Sequence, residues 1–475
     1  MDTIRQLIDS RNTRIAENEN PLSVCHGWVR TLRESSSSLG FCNINDGSNI
    51  DGMQLIISDE NMEESEVKLF FENVKLGAFL SCIGTIVPSP AKGQDYELLV
   101  KEFNVSMHVD ENYPLCKSKM NIDTLRNHIH FRARTNTFGS VFRIRSSLTK
   151  ILHDFYHSKG YLHLDPNIIT VNECEGGAGV FQITENNITN LSTLNKTKEN
   201  TYDWKKDHFC SPAYLTVSSQ LQLEAMACSL GNVYTMNKSF RSEHSCTSKH
   251  VSEFTHLEIE IVNNTLNDLM DVGEEMVRYC IREISTRNKD ELENLNKFVS
   301  KGLIDRLETL EKTEFKRMTY AEAILLIQQD ILSKKTNISN ITYGDDLGSE
   351  HENYIVDNFN GPVFITHWPF EIKSFYMKQC DDGTCESFDL LMPHGIGELI
   401  GASQREDDYQ KLLDGMKTKK VPDNSMQFYI DLRKYGTCPH GGFGMGFDRL
   451  LMLMTGMTNI KDVIPFPVFY KSCNY

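Results

Sequence analysis

Over the first hundred residues apolar and polar positions alternate with period two in five runs, 22–33, 39–45, 50–58, 77–88 and 94–103. One stretch between them, 61–74, carries acidic residues in its first turn and an apolar set at helical spacing, so it reads as a helix. From Phe138 the period changes to 3.6: Val141, Ile144, Leu148, Ile151 and Phe155 fall on one face of a helix ending near Gly160. YLHLDPNIIT then reads as a strand carrying Pro166. Residues 238–260 read as two strands joined by a polar loop, and 386–406 as two apolar strands flanking a Pro/Gly turn. The charged stretch 287–318 predicts surface helices inserted before a strand at 362–367, and 440–446 is a glycine-rich strand running into the apolar helix LLMLMTG. The expected class is α+β.

The order of three strands, a helix and two strands is that of an oligonucleotide-binding barrel, which places a first domain at 20–108 after an extension of residues 1–19. In LGFCNIND, Cys42 and Ile44 face inward, leaving Phe41, Asn43 and Asn45 on the polar face. An exposed aromatic beside amides is a base-stacking platform. Trp28, with His26 and Arg30 on its face, either adds contacts or packs in a core.

Two segments carry nucleotide chemistry. In KSFRSEHSCTSKHVSEFTHLEIE, Arg241 and Glu243 lie two apart on the first strand, where a guanidinium can clamp a phosphate and a carboxylate can accept from adenine's amino group. Phe254, His256 and Glu258 share a face of the second strand. An aromatic on a polar face suits stacking on a purine, and the loop brings Lys249 and His250 to the remaining phosphates. Alone, the stretch could be an ordinary hairpin with a solvated Arg241–Glu243 pair. The second segment is HGGFGMGFDR, where glycines such as Gly446 permit close backbone approach and Arg449 supplies a further cation. It is no P-loop, lacking Gly-Lys-Ser/Thr, and Phe447 stands where a Rossmann fingerprint needs glycine. In the 386–406 hairpin Asp389 and Glu398 can lie opposite each other, a pair suited to Mg²⁺ completed by substrate phosphates.

Composition narrows the setting. A net charge of −16 argues against indiscriminate nucleic-acid binding and for a soluble, cytosolic protein. The exception is local: between Lys117 and Lys150 there are eight Lys/Arg and one acid, Asp123. The segment 109–135 therefore reads as a hinge turning a basic face, including Arg132 and Arg134, to phosphates; a solvated linker is the alternative. Thirteen cysteines without a CxxC pair fit reduced thiols. No zinc signature, membrane-length apolar run, signal-peptide core or internal repeat is found.

FRSE followed by EF, then DLLMPHGIGELIG, then GMGFDR, resembles motifs 2 and 3 and the intervening strands of class II aminoacyl-tRNA synthetases. HWPFEIKSFYMK, GIGELIGASQRE, DLRKYGTCPHGGFGMGFDRL and NIKDVIPFPV are more similar to the asparaginyl than to the aspartyl enzymes. The resemblance implies an antiparallel catalytic sheet flanked by helices over 136–475, with ATP bound by Arg241, Glu243, His250, Phe254, Glu398, Gly446 and Arg449. Arg241, Glu398 and Arg449 would be catalytic, and Asp389 with Glu398 would hold Mg²⁺. Asparagine would be bound by Glu175, Ser218, Gln220, Glu224 and Arg405, with Glu175 on the α-ammonium, Glu224 accepting from the side-chain NH₂ and Arg405 donating to its carbonyl oxygen. In VSSQLQLE the aspartyl enzymes carry a lysine where this chain has Leu223, and a carboxylate substrate would meet Glu224. Phe41 and Gln54 match positions that read the central anticodon base of tRNA(Asn), and the helix with Pro166 looks like motif 1, the homodimer element, though such a helix could equally be internal core. Strict alternation puts Arg405 on the face opposite Glu398, so a bulge near Gly401 is required. The Asn-rich segment 184–208 is either a mobile closing loop or an insertion. An aspartyl enzyme, a synthetase-like asparagine synthetase and a non-catalytic RNA-binding paralogue are the rival readings.

Overall fold

The computed structural model describes residues 2–14, 21–91, 93–107, 109–115, 120–171, 179–421 and 426–475. The chain forms two compact units, 1–142 and 143–475.

In the first unit β1 (Leu22–Ser36), β2 (Leu39–Asn45), β3 (Met53–Ser58), β4 (Phe79–Pro88) and β5 (Tyr96–Val105) close a barrel in the order β1-β2-β3-β5-β4, with helix Glu64–Asn73 between β3 and β4. Closure leaves no free sheet edge. The inward alternation is as expected: Cys25, Cys42, Ile44, Leu55, Leu80 and Leu98 are fully buried, and Val67 and Phe70 of the helix join them. The N-terminal segment, without an assigned place in the sequence reading, is helix Ile4–Arg14, whose Ile4 and Leu7 pack onto the barrel core. Phe41 and Gln54 share the outer face, since Gln54 pairs with Asn43 and Phe41 with Ile56, and Arg33 lies 5.4 Å over the Phe41 ring. Asn45 departs from expectation. It is buried, and its side chain ties the following turn together through Gly47 N and the carbonyls of Asn49 and Ile50, the usual work of an Asx side chain.

The basic segment is also corrected. Arg132 is fully buried against Phe138, 4.5 Å from its ring centroid, and Arg134 is stacked among Trp28, Phe131 and Tyr113 at 5.3, 4.9 and 5.8 Å. Trp28 is accordingly half-buried on the barrel's outside, edge-on to Phe79, and not in its core. A guanidinium is planar and weakly hydrated, so aromatic faces compete for it with phosphate. Both arginines tie the segment to its own unit; buried Arg132 presents no surface to a phosphate, while Arg134 is half-buried.

In the second unit helix Asn136–Ser158 continues from the first, with Ile144, Leu148, Ile151 and Phe155 buried as their spacing requires. The region after it is less regular than predicted. Only β6 (Leu162–His163) and β7 (Ile169–Thr170) form, with Pro166 between them, its carbonyl accepting from Asn237. Proline has no N–H to give a ladder. Strands β8 (Gln182–Ile183) and β9 (Ala213–Leu215) join β7 in a small sheet. The remaining strands are β10 (Val233–Phe240), β11 (Glu253–Val262), β12 (Lys316–Thr319), β13 (Val363–Thr366), β14 (Ser387–Met392), β15 (Gly397–Gln404) and β16 (His440–Gly446). With β6 they make an eight-stranded sheet in the order β12-β13-β14-β15-β16-β11-β10-β6. It is antiparallel except at its edges, where β12–β13 and β10–β6 run parallel. The charged insertion folds as amphipathic helices Lys289–Phe298 and Leu303–Lys312, burying Leu292, Leu295, Leu303, Leu307 and Leu310.

The register of β11 with β16 shapes the centre. His256, Glu258 and Glu260 face Gly446, Gly444 and Gly442. A Cβ on Gly444 would come within 2.5 Å of His256 Nε2, and one on Gly442 would overlap the Ile259 carbonyl and crowd Glu260. The alternating glycines thus make room for the polar side chains of β11, a role additional to close approach of a nucleotide.

Replacing Arg132 with alanine should lower stability by about 2 kcal/mol through lost stacking and packing, measured as the midpoint of thermal or urea unfolding. Gly442→Ala should destabilise by about 2 kcal/mol or more, because backbone cannot yield to the new methyl as a flexible side chain could. An unchanged midpoint would contradict either account.

Candidate active site

Arg241, Glu243, His250, Phe254, Glu398, Gly446 and Arg449 line one cavity of about 700 Å³, with Lys249, His256 and Gly444. Arg241 and Glu243 do not sit on a ladder strand as expected. β10 ends at Phe240, and Arg241 begins the loop, its N–H held by the Ser252 carbonyl at 3.0 Å. The guanidinium nevertheless reaches to 5.5 Å over Phe254 of β11. Helix Phe447–Thr455 begins immediately after Gly446 and presents Arg449, which donates to the Glu398 carbonyl oxygen. Its neighbour Asp448 is buried and ties three elements together: it pairs with Arg145 at 2.5 Å and accepts from Thr255 N at 3.0 Å, while Arg145 also donates to the Val463 carbonyl. The long helix therefore sets the position of the strand carrying Phe254 against the helix carrying Arg449.

His250 lies 3.7 Å from Glu243. Its pKa falls below the ordinary value because burial opposes the charge, and Arg449, Arg241 and Lys249 oppose it further against the pull of Glu243. Lys249 is likewise lowered, by burial first and then by Arg449. Neighbouring cations oppose one another's protonation. Glu352, which the sequence reading passed over within HENYI, stands beside this cluster. A Cβ on Gly397, whose φ is +72°, would meet Glu352 Oε2 at 2.5 Å and Lys249 Nζ at 2.9 Å. Burial and the Glu398 charge raise the Glu352 pKa.

Asp389 and Glu398 share a face, though diagonally: Leu391 pairs with Glu398 and Asp389 with Gly401. Leu390 pairs with Ile400, so the extra residue is Leu399, and the bulge needed to align Glu398 with Arg405 falls two residues before Gly401. A Cβ on Gly401 would lie 3.2 Å from Glu398 Oε1 and 3.6 Å from Asp389 Oδ1, so the missing side chain leaves a cradle between the carboxylates. Asp389 Oδ2 pairs with Lys373 at 2.7 Å, and Lys373 lies 4.0 Å from the Trp368 ring centroid. Burial pushes Asp389 up to about 7 against the pull of Lys373, with Glu398 adding to the rise. Among the described residues no group of three or more His, Cys, Asp or Glu could hold a metal. Two carboxylates around a cradle fit a hard cation that takes its other ligands from phosphates.

A second cavity of about 1110 Å³ shares Arg241, His256, Glu398, Gly401 and Gly444 with the first, so the two are contiguous. Ser218, Gln220, Glu258, Glu260, Lys373, Asp389 and Arg405 line it. Ser218 Oγ donates to Glu258, which also accepts from Ser219 N at 3.0 Å. Arg405 forks onto Glu260, with Nε to Oε1 at 3.0 Å, and donates through Nη1 to Ser403 at 2.7 Å. Burial pushes Glu260 up to about 7 against Arg405, the Glu224 charge adding to the rise.

Glu224 is placed differently from expectation. It is fully buried and does not line the cavity. On helix Gln220–Leu230 it lies one turn beyond Gln220, whose Nε2 donates to Glu224 Oε1 at 2.9 Å and covers it. Its other oxygen accepts from Tyr429 Oη at 2.7 Å and Arg433 Nη2 at 2.9 Å, with His440 Nε2 at 3.1 Å. Burial works to raise the Glu224 pKa, but Arg433, His440 and Arg405 outweigh it and hold the group well below the usual carboxylate range. Leu223 is buried with Ala227 and Val233. Glu175 lies outside the described residues. Glu260, Lys373, Tyr429, Arg433 and His440 were missed; extending the alternation Phe254, His256, Glu258 by one step would have found Glu260.

Residues 121–469 match the family model described as tRNA synthetases class II (D, K and N), and residues 23–106 match that of the OB-fold nucleic acid binding domain. The chain is 42% identical to a protein of Bacteroides fragilis and 41% to one of Phocaeicola vulgatus, each called an asparagine–tRNA ligase, over 93% of both chains in either case. Among solved structures it is similar to the asparaginyl-tRNA synthetase of Pyrococcus horikoshii complexed with asparaginyl-adenylate, with a TM-score of 0.81, 28% identity and coverage of 96% of this chain and 97% of the other. That of Entamoeba histolytica, also with asparaginyl-adenylate, gives 0.80, 27%, 97% and 98%. By these matches, and by an Arg241–Phe254–Arg449 cavity opening onto an Arg405 pocket, the chain belongs to the class II aminoacyl-tRNA synthetases of the D, K and N family and is an aminoacyl-tRNA ligase.

Proposed function

We propose that the enzyme joins asparagine to tRNA(Asn) in the cytosol, through asparaginyl-adenylate. The observation that carries this reading is the contiguity of the two cavities: nucleotide-binding side chains in one, and in the other a guanidinium, Arg405, with the ionised carboxylate of Glu224 buried behind its wall and covered by Gln220. A carboxamide has one acceptor and two donors, so it satisfies both groups at once; a carboxylate satisfies only Arg405 and sets its charge against Glu224. Gln220 is itself a carboxamide on Glu224 Oε1, and the substrate's amide replaces it there.

In the first step asparagine's α-carboxylate oxygen attacks the α-phosphorus of ATP and pyrophosphate leaves. Phe254 stacks on the adenine, Glu243 accepts from its amino group, and Arg241 neutralises charge growing on the α-phosphate. Arg449, Lys249 and His250 hold the departing pyrophosphate, whose negative charge raises the affinity of the two lowered bases for protons. Asp389 and Glu398 would hold Mg²⁺, which when bound supplies further charge neutralisation at the phosphates. In the second step a terminal ribose hydroxyl of the tRNA attacks the acyl carbon and AMP leaves. No protein nucleophile takes part; the residues position and neutralise. Phe41 and Gln54, on the barrel's outer face, take the anticodon, while Glu175 takes the α-ammonium of the amino acid and Ser218 and Gln220 line its site. Leu162, Ile169 and Val171, 48%, 45% and 51% exposed around Pro166, support a homodimer formed on this face.

Pyrophosphate exchange into ATP should proceed with asparagine and be at least about a hundredfold weaker in kcat/KM with aspartate, a gap of about 2.7 kcal/mol. Exchange favouring aspartate would instead make the chain an aspartyl enzyme. Arg241→Ala should lower exchange by about a thousandfold or more while leaving the unfolding midpoint within a few degrees of the parent's. Retained exchange in that variant would remove Arg241 from the reaction.

A further inference from the structure

We propose that Arg433 is a positioning residue that sets amino-acid specificity. From helix Gln427–Lys434, outside the cavity wall, it fixes Glu224 as a carboxylate with one oxygen reserved for the substrate, so that the pocket accepts an amide and refuses an acid. This inference rests on the asparagine reading above.

The geometry assigns Glu260 and Glu224 a guanidinium each. Glu260 is forked by Arg405. Glu224 pairs with Arg433, both side chains being 0% exposed, and Arg433 has no other carboxylate partner among the described residues. Arg433 is itself anchored, with Nε on the Glu406 carbonyl at 2.8 Å and its ring partner Tyr429 4.2 Å below the guanidinium. Arg433, Tyr429 and His440 all gather on Glu224 Oε2, and His440 Nδ1 lies 2.8 Å from the Cys438 carbonyl. Oε1 is left with the exchangeable amide of Gln220 and with Arg405 Nε at 3.7 Å. The thiols of Cys228 and Cys438, and the phenol of Tyr376 whose ring lies 5.5 Å from the Arg405 guanidinium, are further titratable groups near this cluster.

Without Arg433, Glu224 would keep beside it only His440, which is a cation only when protonated. Arg405 stands farther off and is committed to Glu260, so the buried carboxylate would take up a proton. A protonated Glu224 offers an O–H to the cavity, and an aspartate side chain would then find a donor on either side, Glu224 and Arg405. Removing a residue outside the cavity would thereby admit the wrong substrate, an outcome that loosened packing does not produce.

The test is pyrophosphate exchange by the full chain with asparagine and with aspartate, for the parent protein, Arg433→Met, Arg433→Lys and Tyr429→Phe, with thermal unfolding followed in parallel. Arg433→Met should raise KM for asparagine about tenfold with a smaller change in kcat, and lower the asparagine-to-aspartate ratio of kcat/KM at least about tenfold by a gain with aspartate. Arg433→Lys keeps a cation and should return most of the ratio. Tyr429→Phe removes one donor and almost no volume and should lower the ratio about threefold; it decides the matter if Arg433→Met does not fold. A folded Arg433→Met protein with an unchanged ratio, or with no activity toward either amino acid, would overturn the inference, as would an unchanged ratio in Tyr429→Phe. Absence of asparagine-dependent exchange in the parent would overturn instead the reading on which it rests.

Discussion

The pairing of β11 with β16 is the constraint on which the rest of the second unit depends. It sets His256, Glu258 and Glu260 opposite glycines, so polar side chains can lie over the middle of a sheet whose other positions are filled by Leu257, Ile259, Phe443 and Met445. A shift of one residue would turn the apolar set into the cavity and the carboxylates into the core. The glycines make that shift costly, because only at these positions does the facing strand leave space for a carboxylate and an imidazole. At the end of the same strand the chain turns directly into the helix bearing Arg449, so register and catalytic geometry are one decision.

Burying charge in this way is expensive, and the structure offsets the expense by pairing. Glu260 with Arg405, Glu224 with Arg433, Asp389 with Lys373 and Asp448 with Arg145 each bring a cation from a separate stretch of chain to a carboxylate in or behind the cavities. Such pairs are poor sources of stability, since desolvation consumes most of the attraction. Their value lies in holding acceptors and donors where a small polar substrate must find them. The carboxylates are not equivalent. Asp389 and Glu260 are pushed up to about 7 by burial, whereas Glu224, with Arg433, His440 and Arg405 about it, is held well below the usual range. The group proposed to read the amide is thus the one most strongly held as an acceptor.

The first unit solves a different problem. Its barrel presents Phe41 and Gln54 on an outer face while a net acidic chain avoids indiscriminate attraction to phosphate. The arginines most suggestive of phosphate contact, Arg132 and Arg134, are spent on aromatic stacking instead. Local charge density in a sequence is silent on this choice, because a guanidinium is at home on either partner.

Much of this was determined by the sequence alone. Period-two alternation placed the five barrel strands to within three residues at their ends, and helical spacing placed Ile144, Leu148, Ile151 and Phe155 in the core, because each signal is local and repeats over several positions; the residues that line the first cavity were legible as a set through the motifs' resemblance to a family. Only the tertiary structure decided what depends on distant segments meeting. It placed the bulge at Leu399 that aligns Glu398 with Arg405, closed Gln220 over Glu224, and brought Arg433 and Tyr429 from some two hundred residues away to the same carboxylate. A lone arginine or tyrosine in a short helix carries no periodic signal. Its meaning is conferred by the buried charge it neutralises, and that charge is buried only once the chain has folded.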